Sequence, residues 1–303
     1  MAETNKPLRG VIPAPITPVN EDGTVRYDLF EAQIDYLLTA GADGLMPAGT
    51  TGEGAMLSSE ERTQLARIAR SRMDDRHVLC VGVLQPSTYG VLGEIDTLAD
   101  SAPDYVAVVS PYYTTSTQFE IVAHFTRIAD HCPVPLLLYN IPQNTHNTIE
   151  LATVLELAEH PNIAGVKDSS GDLVTFQRGM LAGSSGDFTW IMGEDLLDAA
   201  ALLMGGSCVI TGLGNAWLEP YLAMREAADR GDREAVLAEQ ARINALFEII
   251  VRSGGRGLPA IKAAAALQGR STPYTRVAGA HLSPENQEAV RRVLTSLGVE
   301  VQP

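Results

Sequence analysis

The sequence predicts a (β/α)8 TIM barrel with a C-terminal all-helical extension. Eight short apolar runs alternate with longer helical patterns between residues 10 and 211, which is the order expected of a parallel sheet whose strands are joined by helices. The first run leads into residues 14–18, Ala-Pro-Ile-Thr-Pro. A doubly wound open sheet, the rival fold, carries a glycine-rich loop at this place. We therefore expect a closed barrel.

The predicted strands are runs of four to six mostly apolar residues, at positions 10–14, 44–47, 78–83, 105–109, 136–140, 163–167, 189–192 and 207–211. The segments between them place apolar residues at helical spacing. The clearest predicted helices of the barrel are 27–39, 59–72, 118–131 and 149–159.

The strand pattern stops after residue 211, and the rest of the chain has helical periodicity. Helices are predicted over residues 217–230, 233–251, 259–267 and 284–297. The Gly231-Asp232 break between the first two favours a domain boundary there. We expect residues 1–230 to form the barrel with the active site and residues 231–303 to form a helical domain.

Composition excludes several classes of function. The formal net charge of −15 disfavours nucleic acid as a partner, because phosphate binding requires clustered basic residues. No apolar run approaches the length of a membrane span. The cysteines, Cys80, Cys132 and Cys208, are odd in number and lack CxxC spacing, which predicts neither a disulfide framework nor a zinc site. A cytoplasmic protein without membrane contact is expected, and the scattered histidines predict no metal site.

Lysine is rare in this chain, which narrows the search for a nucleophilic amine. Of 22 basic residues only Lys6, Lys167 and Lys262 are lysines, and arginine does not form imines. Lys167 ends the sixth predicted strand, where barrel strands deliver catalytic side chains. Desolvation there disfavours the ammonium form and leaves an amine that can attack a ketone. A pair with Asp168 is the alternative, and Lys262 is expected to expose its head from a helix.

Polar groups at other strand ends form a candidate site around Lys167. The loop 49–54, Gly-Thr-Thr-Gly-Glu-Gly, offers closely spaced backbone N–H groups that suit a small carboxylate. Tyr113 and Tyr139 are each expected to end a strand, where a phenol can transfer protons. Alone, the loop is equally typical of a plain turn, and each tyrosine of a core residue with one hydrogen bond.

Together these motifs resemble the dihydrodipicolinate synthase / N-acetylneuraminate lyase family of pyruvate-dependent class I aldolases. The resemblance runs from about residue 10 to residue 297, and its strongest elements are residues 49–53, 139–142 and 165–168. It implies that Lys167 forms a Schiff base with a 2-oxo acid and that no cofactor is required. It also implies a homotetramer, or at least a dimer.

The resemblance also implies roles for the other site residues. Tyr139 would transfer protons in a relay with Thr50 and with Tyr113 from a neighbouring subunit. Thr50 and Thr51 would bind the pyruvate carboxylate, and the backbone carbonyl of Ile210 would lie near the reacting carbon. Asp195 and Ser169 stand where the sugar-acid lyases bind substrate hydroxyls.

One position departs from the synthase branch of the family. That branch has an arginine two residues after Tyr-Asn-Val/Ile-Pro, where it binds the carboxylate of aspartate semialdehyde, and this chain has Asn144. An amide cannot form arginine's bidentate charge-assisted pair. An aldolase or lyase acting on a 2-keto-3-deoxy sugar acid or hydroxy-oxo acid is therefore favoured. The synthase, a keto-deoxy sugar acid dehydratase and a non-catalytic 2-oxo acid sensor stay open.

Overall fold

Eight parallel strands form the sheet of the computed structural model, which describes residues 6–183 and 188–302. The strands lie in the order β1-β8-β7-β6-β5-β4-β3-β2. They are Gly10–Val11 (β1), Gly44–Leu45 (β2), Val78–Val83 (β3), Tyr105–Val109 (β4), Leu136–Asn140 (β5), Ile163–Asp168 (β6), Thr189–Met192 (β7) and Cys208–Val209 (β8). This confirms the predicted TIM barrel.

Helices cover the outside of the sheet and form the C-terminal extension. The barrel helices are Tyr27–Ala40 (α1), Ser59–Arg72 (α2), Thr88–Thr97 (α3), Gln118–His131 (α4), Pro142–Thr145 (α5), Leu151–Leu157 (α6), Leu173–Ala182 (α7) and Asp198–Leu203 (α8). The later helices are Glu219–Asp229 (α9), Arg233–Val251 (α10), Gly257–Leu267 (α11) and Pro284–Ser296 (α12). The boundary at residue 230 stays a prediction.

Strands β1 and β8 are shorter than predicted, because β1 runs into prolines. Pro13 and Pro15 have no N–H to donate to a ladder. The hydrogen bonds nevertheless continue past the strand ends. Ala14 N donates to Thr211 O at 2.8 Å, and Met46 N donates to Pro13 O at 2.9 Å across the β1–β2 gap. A second bond, from Asp43 N to Val11 O at 2.9 Å, also joins β1 to β2, so backbone hydrogen bonds close the barrel.

Two apolar layers follow from the alternation of side chains along each strand. One layer fills the barrel interior and includes Cys80, Leu137, Tyr139, Ile191 and Cys208. The other lies between the strands and the surrounding helices. Cys80 and Cys208 are therefore core residues. No helix within the described ranges is both long and apolar enough to cross a membrane.

His124 of α4 anchors that helix to the end of β4, and its burial makes the stability of the fold sensitive to acid. Its Nε2 lies 3.2 Å from Val109 O and its Nδ1 lies 2.9 Å from Thr88 Oγ1. Burial lowers the pKa of His124 to about 4. The unfolded chain, with a histidine pKa of about 6.5, therefore binds the extra proton between these values, and stability falls as pH falls.

Between pH 7 and pH 4.5 the unmodified protein loses stability as His124 is protonated on unfolding. We expect this loss to be about 2–3 kcal/mol smaller in His124→Gln. Urea unfolding of both proteins at the two pH values measures the difference. An unchanged loss in the variant would show that His124 is not the titrating group.

Candidate active site

Lys167 lies near the carboxyl end of β6, inside the barrel, and is 4% exposed. Its neighbour Asp168 faces the other way and accepts a hydrogen bond from Asn140 Nδ2 at 3.0 Å. The alternative of a Lys167–Asp168 pair is therefore wrong. Lys6 and Lys262 are both ion-paired, with Asp104 and Glu53. Within residues 6–183 and 188–302, Lys167 is the lysine without such a partner, as a nucleophilic amine requires.

Tyr139 lies beside Lys167, because the two residues are register partners on β5 and β6. The Lys167 Nζ lies 3.9 Å from the centroid of the Tyr139 ring. The phenol oxygen lies 3.1 Å from Thr50 Oγ1, and either group can be the donor. The amine thus lies against the face of a phenol ring whose hydroxyl is within hydrogen-bond distance of a second hydroxyl, which are the groups that a proton relay requires.

The loop 49–54 forms a closed turn above these groups. Glu53 N donates to Thr50 O at 3.0 Å, and Gly54 N donates to Gly49 O at 2.9 Å. A Cβ added at Gly212 would lie 2.6 Å from Thr51 Oγ1, so this threonine packs directly on the segment after β8. Thr50 and Thr51 are half-buried. The turn holds both hydroxyls at the mouth of the barrel.

Ile210 and Asp195 lie beside this group, after β8 and β7. Ile210 N donates to Met192 O at 2.9 Å, which joins the peptide between Val209 and Ile210 to the end of β7. Asp195 Oδ1 accepts hydrogen bonds from the hydroxyls of Thr211 and Tyr221. Burial raises the pKa of Asp195, and these two bonds oppose the shift. Asp195 thereby ties two elements together, and its binding of substrate hydroxyls stays a prediction.

Tyr113 and Asn144 are not brought into contact with Lys167. The prediction that Tyr113 ends a strand is wrong, because β4 stops at Val109 and the tyrosine lies in the following loop. Its side chain is 95% exposed, and its φ of 78° is unusual for an aromatic residue. Asn144 is exposed on α5. Neither side chain has a hydrogen bond to another described residue.

Lys262 corrects a further prediction, because its head is buried rather than exposed. The ammonium is paired with Glu53 and donates to Tyr274 O at 2.9 Å. Burial lowers the pKa of Lys262, and the Glu53 carboxylate opposes the shift. The signal for this was a single cation within the apolar stretch of α11, since a buried charge requires a partner.

Gly193, which follows β7, leaves the space that Lys167 occupies. A Cβ at this position would lie 2.9 Å from Lys167 Cε and 2.3 Å from Ser169 Oγ. We expect Gly193→Ala to displace the amine and to lower kcat/KM by roughly ten- to a hundredfold. Gly93→Ala is the control, because nothing lies within 4 Å of its added Cβ. Equal kinetics for the two variants would contradict this.

Lys167, which has no ion-pair partner among the described residues, lies beside Tyr139 and the glycine-rich loop, and this arrangement agrees with comparison to known proteins. Residues 7–297 match the sequence model of the dihydrodipicolinate synthetase family. The chain belongs to this family. The resemblance stated from the motifs is therefore confirmed.

Individual members of the dihydrodipicolinate synthetase family resemble the chain over nearly its whole length. The 4-hydroxy-tetrahydrodipicolinate synthase of Methanospirillum hungatei is 32% identical over 95% of this chain and 99% of that protein. The enzyme of the same name from Corynebacterium aurimucosum is 34% identical over 94% of this chain and 93% of that protein. The crystal structure of dihydrodipicolinate synthase from Aquifex aeolicus has a TM-score of 0.90 at 26% identity, covering 98% and 100% of the two chains.

Proposed function

We propose that this chain is a Schiff-base-forming class I aldolase or lyase. It cleaves or forms a 2-oxo acid, and pyruvate is one of the partners in that reaction. The observation that carries the proposal is Lys167, buried in the barrel without a carboxylate partner and in contact with the Tyr139 ring. Membership of the dihydrodipicolinate synthetase family supports it.

The contacts of the site support a sequence of steps. Lys167 Nζ attacks the 2-oxo carbon, and loss of water from the resulting carbinolamine leaves an imine. Tyr139 carries the protons of these steps and exchanges them with Thr50, 3.1 Å away. The imine then withdraws electrons from the carbon–carbon bond that is made or broken. Proton transfer of this kind contributes about 10²–10⁴-fold to a rate.

We assign substrate binding to the groups that surround Lys167 and Tyr139. Thr50 and Thr51, with the backbone N–H groups of their loop, bind the carboxylate of pyruvate. The carbonyl of Ile210 lies toward the reacting carbon. Asp195 and Asn144 are proposed to bind hydroxyl groups of the remaining substrate. The reaction uses no cofactor and no metal ion.

Tyr113 is proposed to complete the relay of a neighbouring subunit. Its nearly full exposure, in a loop beside the barrel mouth, supports a role outside its own chain. The proposed assembly is a homotetramer, and the dimer is the smallest unit in which this contact exists. The three cysteines, Cys80, Cys132 and Cys208, are free and buried, which supports the proposed cytoplasmic location.

The preferred substrate is a hydroxylated 2-oxo acid, such as a 2-keto-3-deoxy sugar acid, because Asn144 is uncharged. Arg62 and Arg276 contact the 49–54 loop or the residues next to it, but they are already ion-paired with Glu94 and Glu61. Neither is therefore free to bind the carboxylate of aspartate semialdehyde. The second candidate is condensation of pyruvate with aspartate semialdehyde, which the names of the relatives favour.

Asn144→Arg tests the choice between these two. A charge-assisted hydrogen bond contributes about 1.5–3 kcal/mol, and about 1.4 kcal/mol corresponds to a factor of ten. We therefore expect the unmodified protein to use aspartate semialdehyde with a kcat/KM roughly ten- to a hundredfold below that of an authentic synthase. Asn144→Arg should recover part of this deficit and weaken cleavage of a hydroxyl-rich substrate. Efficient use of aspartate semialdehyde by the unmodified protein would make the synthase the preferred function.

Two measurements test the function itself. Incubation with pyruvate and borohydride should add one reduced pyruvate per chain, and peptide mapping should locate it on Lys167. A panel of keto-deoxy sugar acids, assayed both for pyruvate release and for dehydration, then identifies the reaction. Labelling on Lys262, or no labelling, would contradict the proposal.

A further inference from the structure

Glu53 and Lys262 form an ion pair in the interior that connects two distant parts of the chain. They are 209 positions apart and are 4% and 0% exposed. The carboxylate is bound through both oxygens, because Oε2 accepts from Lys262 Nζ and Oε1 accepts from Arg276 N at 2.7 Å. Lys262 and Arg276 both belong to the C-terminal extension. The extension therefore holds the end of the 49–54 loop.

The same glutamate closes the turn that presents the two threonines. Its N–H donates to Thr50 O at 3.0 Å, so Thr51 and Gly52 are the central residues of that turn. Glu53 has a φ of 56°, in the left-handed region that glutamate rarely adopts. A conformation of this kind persists where surrounding contacts impose it, and the two bonds to the carboxylate are such contacts.

The opposite side of the loop has little freedom to adjust. Thr17 Oγ1 donates to Gly52 O at 2.7 Å, and Thr51 packs on Gly212. Thr50 lies 3.1 Å from the Tyr139 phenol. A shift of Glu53 is therefore transmitted to the hydroxyls and N–H groups between these contacts.

We propose that Glu53 and Lys262 are positioning residues that set the geometry of the pyruvate-carboxylate site from the C-terminal extension. The inference rests on the proposed function, because it takes Thr50 and Thr51 as the groups that bind the carboxylate. It assigns α11 a part in substrate binding, although its residues do not line the barrel. The pair acts on binding of the 2-oxo acid through the loop, and Lys167 is left in place.

The test uses full-length protein with pyruvate as the probe and borohydride trapping as the readout. For Lys262→Met and for Glu53→Gln, we expect the pyruvate concentration that gives half-maximal trapping to rise roughly ten- to a hundredfold. Labelling at saturating pyruvate should stay at one per chain, on Lys167. If the pair had a purely structural role, the variants would have a lower thermal midpoint, and the pyruvate concentration for half-maximal trapping would not change.

Three further variants separate charge, backbone and stability. Lys262→Arg keeps the ion pair and should restore most of the pyruvate affinity. Glu53→Gly removes the cost of the left-handed conformation together with the carboxylate, and its affinity should stay low. The double variant Glu53→Gln/Lys262→Met leaves no buried charge unpaired. It should be more stable than Lys262→Met yet equally weak in binding, and it carries the test if the single variant does not fold.

Asp104→Asn is the matched control, because it removes a partly buried carboxylate on the far side of the barrel, where Asp104 is bonded to Arg70 and Lys6. It should lower the thermal midpoint and leave half-maximal trapping unchanged. Unchanged half-maximal trapping in all the Glu53 and Lys262 variants, with normal trapping of the unmodified protein, would overturn the positioning role alone. Absence of trapping in the unmodified protein would overturn the proposed function and this inference together.

Discussion

Lys167→Met is expected to abolish pyruvate trapping and to lower turnover by roughly four orders of magnitude or more, since no other group of the site can form the imine. The methionine keeps most of the volume of the lysine stem, so the packing of the barrel interior is preserved. The variant should also be at least as stable as the unmodified protein, because a buried amine without an ion-pair partner is costly to desolvate.

Lys262→Met is the informative comparison, since both lysines are buried and only one has a carboxylate partner. Removal of Lys262 leaves Glu53 buried and unpaired, which costs about 3–5 kcal/mol when such a pair is broken. Its effect on stability should therefore be large, and labelling of Lys167 at saturating pyruvate should persist. Thermal unfolding and peptide mapping of the two variants measure both effects. Residual trapping in Lys167→Met would mean that another amine is the nucleophile.

The position of Lys167 and Tyr139 was predictable because strand alternation is a local property. Each residue ends or nearly ends an apolar run, and the period of two places both side chains inside a closed barrel. Their register on β5 and β6 then brings the amine within 3.9 Å of the ring centroid. Predicted and observed bounds agree for β3, β4 and β5 for the same reason, since their hydrophobic runs begin and end sharply.

The environment of Lys262 was not predictable, because it depends on a partner 209 positions away. Helical periodicity specifies the spacing of side chains on α11 but not the element against which the helix packs. Tyr113 shows a related limit. Its place in a loop beyond β4 is irregular backbone, and no periodic pattern describes the direction of its side chain.

Tyr139→Phe is expected to lower kcat by about 10²–10⁴-fold, the range that positioned proton transfer contributes. Phenylalanine retains the ring that contacts Lys167 and loses the hydroxyl that lies 3.1 Å from Thr50. Pyruvate trapping after long incubation should therefore reach one per chain, at a much lower rate. Rapid-quench trapping over time, combined with steady-state turnover, separates the rate of imine formation from its extent.

Thr50→Val and Tyr112→Phe complete this experiment. If Thr50 and Tyr139 act in one relay, the double variant Thr50→Val/Tyr139→Phe should be little slower than Tyr139→Phe, since effects within one network are not additive. Tyr112 donates its hydroxyl to Leu84 O at 2.8 Å, and its loss should cost about 1 kcal/mol of stability while kcat stays unchanged. Additive losses for Thr50 and Tyr139, or an equal loss of kcat in Tyr112→Phe, would exclude the relay.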